Sequence, residues 1–222
     1  MLLYTLLGLP SPADHPDAFH LFADQLSEYA ISEHHLKGLK SIAFNSELQA
    51  IGEPEFYAGI YAFYALAKLQ QVEACNGLTD HLNQSLNLDH HWVEAYIPAV
   101  IMMGEASIHY LIHASKRINI EYLYVYTESL GFLANQYPEH REDILDCFDD
   151  LLTRVTMCAL PEHALFSGET ALLIGWMEMH AVERMDMIRA LHSKDMFDRN
   201  YVGDFNHVSE YLQPNQKLSL NG

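Results

Sequence analysis

This chain is poor in the residues that interrupt helices. Its 222 residues include 11 glycines and 8 prolines, and runs rich in alternating Val, Ile or Thr are few. Both shortages argue against a sheet protein and leave helices. Positive charge is also scarce: 12 Lys and Arg face 30 Asp and Glu, a formal net charge of −18. A surface that acidic repels phosphate backbones and anionic lipid, so neither nucleic acid nor a membrane is an expected partner. A basic protein segment is compatible. No Lys or Arg precedes Lys37, so the start lacks the positive region of a signal peptide. Residues 1–9 are apolar but too short to span a membrane. Cys75, Cys147 and Cys158 are odd in number and have no C-x-x-C spacing. That argues for reduced thiols in a cytoplasm, not a disulfide framework or a zinc site. A phosphate-cradling loop is missing, and Ser167-Gly168 lacks the G-x-S-x-G frame of a nucleophile elbow. No cofactor is expected.

What is present is apolar periodicity. Half the residues are hydrophobic, enough for a core, and no linker is long enough to divide the chain. One helical domain is expected over residues 1–213, with a polar tail at 214–222. The first helix is expected at 17–29, with Phe19, Phe22, Ala23 and Leu26 inward, and a second from Ser32-Glu33-His34-His35 to a stop at Gly52. Further helices are expected near 72–86, 90–103, 105–115, 121–136, 139–158, 160–177, 181–192 and 205–212. Asp89 and Asp204 are candidate N-caps. Pro98 should kink its helix or delay its regular start.

The stretch 55–69 organises the rest. Ala58, Ala62, Ala65, Leu66 and Leu69 fall on one face of a 3.6-residue helix, and alanines there let a neighbour approach closely. Glu53-Pro54-Glu55 suits its start. Tyr57, Tyr61, Tyr64 and Lys68 form a second stripe, so the helix is apolar or aromatic almost all round.

The pattern recurs. Ala65-Leu66-Ala67-Lys68-Leu69 lays over Ala99-Val100-Ile101-Met102-Met103, over Ser129-Leu130-Gly131-Phe132-Leu133, and over Leu173-Ile174-Gly175-Trp176-Met177. The intervals are irregular but centre on one helix–turn–helix unit. This resembles HEAT-like repeats. Asp89-His90-His91-Trp92-Val93-Glu94 with Pro98 and Met103-Gly104, and Gly203-Asp204-Phe205 with Val208 and Leu212, look like a bacterial family of HEAT-like-repeat proteins of unassigned function. The likeness covers roughly residues 50–212 and names no chemistry. It implies an all-α fold: an α-solenoid of stacked antiparallel helix pairs, about 9–11 helices.

In that register Ala58 aligns with Trp92, Tyr122 and Phe166, which places these bulky residues between repeats and makes Trp92 core. Tyr57, Tyr61 and Tyr64 align with His91, Ala95 and Pro98, with Glu121, Val125 and Glu128, and with Leu165, Glu169 and Leu172. In a HEAT-like stack this second stripe lines the concave side. It makes Tyr57, Tyr61, Tyr64, His91, Glu94, Glu121, Glu128 and Glu169 candidate contacts for a basic, partly apolar protein segment. The alternative is that the tyrosines pack on the N-terminal helices.

Other constellations are weaker. Glu105, His109 and His113 share a helix face at i, i+4 and i+8 and could ligate a metal, although the H-E-x-x-H glutamate is missing and histidine is abundant. His34-His35 and His90-His91 point to different helix faces and read as surface or cap residues. Asp143, Asp146, Asp149 and Asp150 read as a solvated face around Cys147, since a calcium loop would need glycine and another ligand order. Glu178, His180 and Glu183 could suggest acid–base work. The function expected is a non-enzymatic protein-interaction module. A metal-binding or hydrolytic enzyme built on the Glu105/His109/His113 face is the alternative.

Overall fold

The computed structural model describes all residues except 52, 53, 86–89, 158–164, 166 and 214–222, and for 49–51, 90 and 91 it describes the backbone alone. Every regular element among the described residues is helical, and no strand occurs among them. The stop at Gly52, the cap at Asp89, the helix start at Leu160-Pro161, Phe166, Cys158 and the tail lie outside the described residues. Among the described residues no single helix is long and apolar enough to cross a membrane. The chain divides into two compact units, Met1–Ala114 and Ser115–Gly222.

In the first unit, α1 (Leu2–Leu7), α2 (Ala18–Asp24), α3 (Leu36–Ala43) and α4 (Ser46–Ile51) precede α5 (Glu55–Lys68). All four pack on α5. Every residue of α5 from Tyr57 to Ala67 is buried, as its apolar circumference requires. The unit continues through α6 (Ala74–Gln84), α7 (His90–Glu94), α8 (Tyr96–Met102) and α9 (Ile108–Ser115), whose last residue begins the second unit. The chain breaks at Ala95 between α7 and α8, three residues before Pro98, so the proline delays the regular helix. The break accounts for one of the extra helices beyond the 9–11 expected. The split between α3 and α4 at Phe44-Asn45 accounts for another, and short α1 also adds to the total.

The second unit holds α10 (Leu123–Gln136), α11 (Arg141–Val155), α12 (Gly168–Glu178), α13 (Met185–Ser193), α14 (Arg199–Val202) and α15 (Phe205–Leu212). Helices α10 and α12 lie side by side, with α11 against both. Small residues permit it. A Cβ added to Gly131 would stand 2.5 Å from the carbonyl oxygen of Gly175, and one on Gly175 would stand 2.7 Å from that of Thr127. The Thr127 hydroxyl donates to the Ala171 carbonyl at 2.7 Å, bonding the two helices directly. Asp204 caps α15 by accepting from the His207 N–H at 2.9 Å, as the sequence suggests.

Glycine scarcity has a visible consequence at helix ends. Ala30, Gln70, His180 and Asp195 all adopt positive φ. Each is followed by an N–H that reaches back along the chain, into the helix from Gln71 to the Leu66 carbonyl (3.0 Å) and into the turn after α2 from Ile31 to the Leu26 carbonyl (2.8 Å). Residues with a Cβ accept this left-handed stop at a cost of about 1 kcal/mol each.

Candidate functional site

The tyrosine stripe of α5 is interior. Tyr57, Tyr61 and Tyr64 are 3%, 1% and 2% exposed. Phe19 of α2 meets Tyr61 edge-on at 4.7 Å and stacks on Tyr64 at 5.2 Å, and Phe22 meets Tyr61 at 5.1 Å. The Tyr61 hydroxyl donates to the Pro10 carbonyl at 2.7 Å. Burial raises the pKa of both Tyr61 and Tyr64 well above that of an ordinary phenol. The packing alternative therefore describes these residues, and they do not present an open aromatic surface. Tyr57 and Tyr61 do border a cavity of about 290 Å3 with Leu6, Leu9, Ser11 and Pro54, but nothing charged lines it among the described residues. Trp92 lies edge-on to Tyr57 at 4.8 Å and to Phe56 at 5.7 Å, in keeping with a packing role.

Of the remaining stripe residues, His91 lies on α7 with its side chain outside the description, and Glu94 ends the same helix half-buried. Glu121 sits in the 3-10 turn ahead of α10. Glu169 is in the first turn of α12, where a carboxylate complements the helix dipole. Glu128 borders a cleft.

That cleft, of about 240 Å3, opens in the second unit. Helix α10 contributes Glu128. Helix α12 contributes Ile174, Met177 and Glu178, at i, i+3 and i+4 on one face. Tyr201 and Val202 come from α14, and His207 and Tyr211 from α15 at i and i+4. The close approach at Gly131 and Gly175 sets the acidic wall, because the Glu178 Cβ lies 2.8 Å from where a Cβ on Gly131 would be. Gly203, at φ +84°, turns the chain from α14 into α15 and so faces the two tyrosines toward the same space. Tyr201 and Tyr211 are 52% and 40% exposed, among the largest exposed apolar groups of the unit. His180 stacks on the Tyr211 ring at 5.5 Å.

Two carboxylates, Glu128 and Glu178, stand in the cleft wall. Burial, the Glu178 carboxylate and its hydrogen bond with the phenol, and the more distant Glu128 charge together hold the Tyr211 hydroxyl above the ordinary phenol range. Glu178 is also the last residue of α12, where the partial negative charge of a helix C-terminus adds to its own. Sequence reasoning reached Glu128 and Glu178 separately and missed Tyr201 and Tyr211. Periodicity links residues within one helix, and these four come from four helices.

A second cleft of about 360 Å3 has Arg189, His192, Arg199, Asp204 and Phe205 in its wall. Its cations are committed to neighbours. Arg189 pairs with Asp186 and lies 5.1 Å over the Phe205 ring, while Arg199 pairs with Asp195 and donates to the His192 carbonyl at the end of α13.

The other constellations have structural explanations. Rings of His109 and His113 are 4.6 Å apart and both residues are exposed on α9, but the ligand atoms of Glu105, His109 and His113 do not come within 4.8 Å of one another. Asp149 holds Arg184 through two bonds of 2.8 and 3.1 Å, and Asp150 meets Lys116 at 3.3 Å. Burial raises the Glu183 carboxyl, but the Arg141 guanidinium, bonded at 2.8 and 3.1 Å, outweighs it and leaves the pKa below the usual value. That is an ion pair, not an acid–base couple.

Compared with family models, curated proteins and solved structures, the chain matches none.

Proposed function

We propose that this protein is a non-enzymatic protein-interaction module that takes a basic, partly apolar segment of a partner, and that its helices form a HEAT-like α-solenoid. The observation that carries the binding reading is the unit 115–222 cleft. There Glu128 and Glu178 stand beside two exposed tyrosines over the apolar side chains of Ile174 and Met177. Carboxylates select a cation, aromatic faces hold its apolar part, and the net charge of −18 draws basic partners by long-range attraction. The side-by-side packing of α10 and α12, and of α5 with α8 within the first unit, supports the solenoid reading, since those helices carry corresponding positions of the repeat. The buried thiols of Cys75 and Cys147 suit a reducing cytoplasm.

The test is titration of a peptide alternating arginine or lysine with leucine against one alternating glutamate with leucine. The basic peptide should bind saturably, and more weakly as salt rises. A Glu128→Gln/Glu178→Gln variant with unchanged thermal midpoint should bind about tenfold or more weakly. Equal binding of basic and acidic peptides, or none of either, would refute the proposal.

A further inference from the structure

Resting on that reading, we infer that the residue the cleft holds is one arginine side chain, its guanidinium between Glu128 and Glu178 and its methylenes along Ile174 and Met177. Size sets the first limit. At about 240 Å3 the space is smaller than the ~300–1,000 Å3 pockets that enclose drug-sized ligands. That space matches one long side chain rather than a folded element.

Charge sets the second. The wall holds two carboxylates, Glu128 and Glu178, beside one histidine, His207, and Glu178 terminates α12, so the wall favours a cation. The two carboxylates come from different helices. A group that meets both must donate along more than one edge. A guanidinium is planar, carries five N–H donors in a fixed fork and is weakly hydrated, whereas an ammonium is a compact, strongly hydrated point charge.

Aromatic exposure sets the third. Tyr201 and Tyr211 present 52% and 40% of their surface, and tyrosine faces attract a flat guanidinium by stacking as well as by charge. Tyr211 is itself held in place, with His180 stacked on it at 5.5 Å. An occupant therefore meets a ring already oriented.

The experiment uses the full chain and three small probes, acetyl-arginine amide, acetyl-lysine amide and acetyl-citrulline amide, followed by NMR chemical-shift titration. The arginine probe should bind about fivefold or more tightly than the lysine probe, and citrulline, the neutral isostere, should not saturate. Shifts should centre on residues 128, 174, 177, 178, 201 and 211. Glu178→Gln should lose arginine binding. Tyr201→Ala, at an exposed site, should weaken it with the fold intact by circular dichroism. Equal affinity for arginine and lysine would overturn the guanidinium assignment and leave the proposed function standing. Failure of both cations to bind in the cleft would overturn the assignment, and absence of basic-peptide binding as well would remove the proposed function with it.

Discussion

Gly131 and Gly175 are in backbone contact: a Cβ on the first would lie 2.5 Å from the carbonyl oxygen of the second. The obstacle is main chain, which cannot rotate aside. Gly131→Ala should therefore destabilise the protein by about 1–3 kcal/mol, the usual cost of overpacking, read as a lower urea midpoint. Gly8→Ala is the control, since its Cβ would meet nothing nearer than the Tyr4 carbonyl at 3.5 Å. It should leave the midpoint nearly unchanged. The same added methyl would press on the Glu178 Cβ at 2.8 Å, so Gly131→Ala should also weaken basic-peptide binding. A stable Gly131→Ala variant would mean that α10 and α12 are further apart than described.

Two tyrosines of α5 should respond differently to loss of a hydroxyl. Tyr61 donates to the Pro10 carbonyl at 2.7 Å, a bond that ties the segment after α1 to the central helix. Tyr61→Phe leaves that carbonyl unpaired and should cost about 1–2 kcal/mol. Tyr64 is held by ring contacts with Phe19 and His20, which phenylalanine reproduces, so Tyr64→Phe should fall within about 0.5 kcal/mol of wild type. Equal losses would show that the bond to Pro10 is not made in solution.

These cases mark how far the sequence could be read. Within one helix the 3.6-residue period is reliable. It identified α5 as apolar all round, while proline chemistry marked the irregularity at Pro98 and N-cap preference the cap at Asp204. The repeat alignment also placed Gly131 and Gly175 at equivalent positions, though not their mutual contact. The period cannot say what covers a stripe. Tyr61 and Tyr64 look like a surface along α5 because Phe19 and Phe22, which cover them, sit on another helix. For the same reason the cleft was only half visible. Glu128 and Glu178 stood out as charges, whereas Tyr201 and Tyr211 reach them only through the turn at Gly203 and the packing of α12.

Buried His81 gives the stability a pH dependence of known sign. Burial lowers its pKa from the model-compound value of 6.5, and its ring lies 6.2 Å from that of Phe44. The native state therefore resists protonation that the unfolded chain accepts near pH 6.5. Its stabilising share is complete above that value and is lost as pH falls through the lower native pKa. The loss can reach about 1.4 kcal/mol per pH unit for one proton. His81→Leu should flatten the urea midpoint between about pH 7 and pH 5 relative to wild type. A variant with the wild-type slope would place the titrating group elsewhere in the chain.

Thiol labelling can follow the two compact units separately, because Cys75 lies in the first and Cys147 in the second. Burial pushes the Cys75 thiol up to about 12, and its sulfur lies 3.6 Å from that of Met103. At about pH 8 roughly one part in ten thousand would be thiolate even if reagent could reach it. Burial raises Cys147 too, partly offset by the Ser115 hydroxyl at 3.5 Å and by the Lys116 charge. Iodoacetamide followed by peptide mass mapping should therefore find both unmodified in native protein and both modified in denaturant. At intermediate denaturant each cysteine reports the opening of its own unit. Different midpoints would mean that the units unfold independently, and a shared midpoint that they unfold as one. Rapid native labelling of Cys75 would contradict its burial beside Met103.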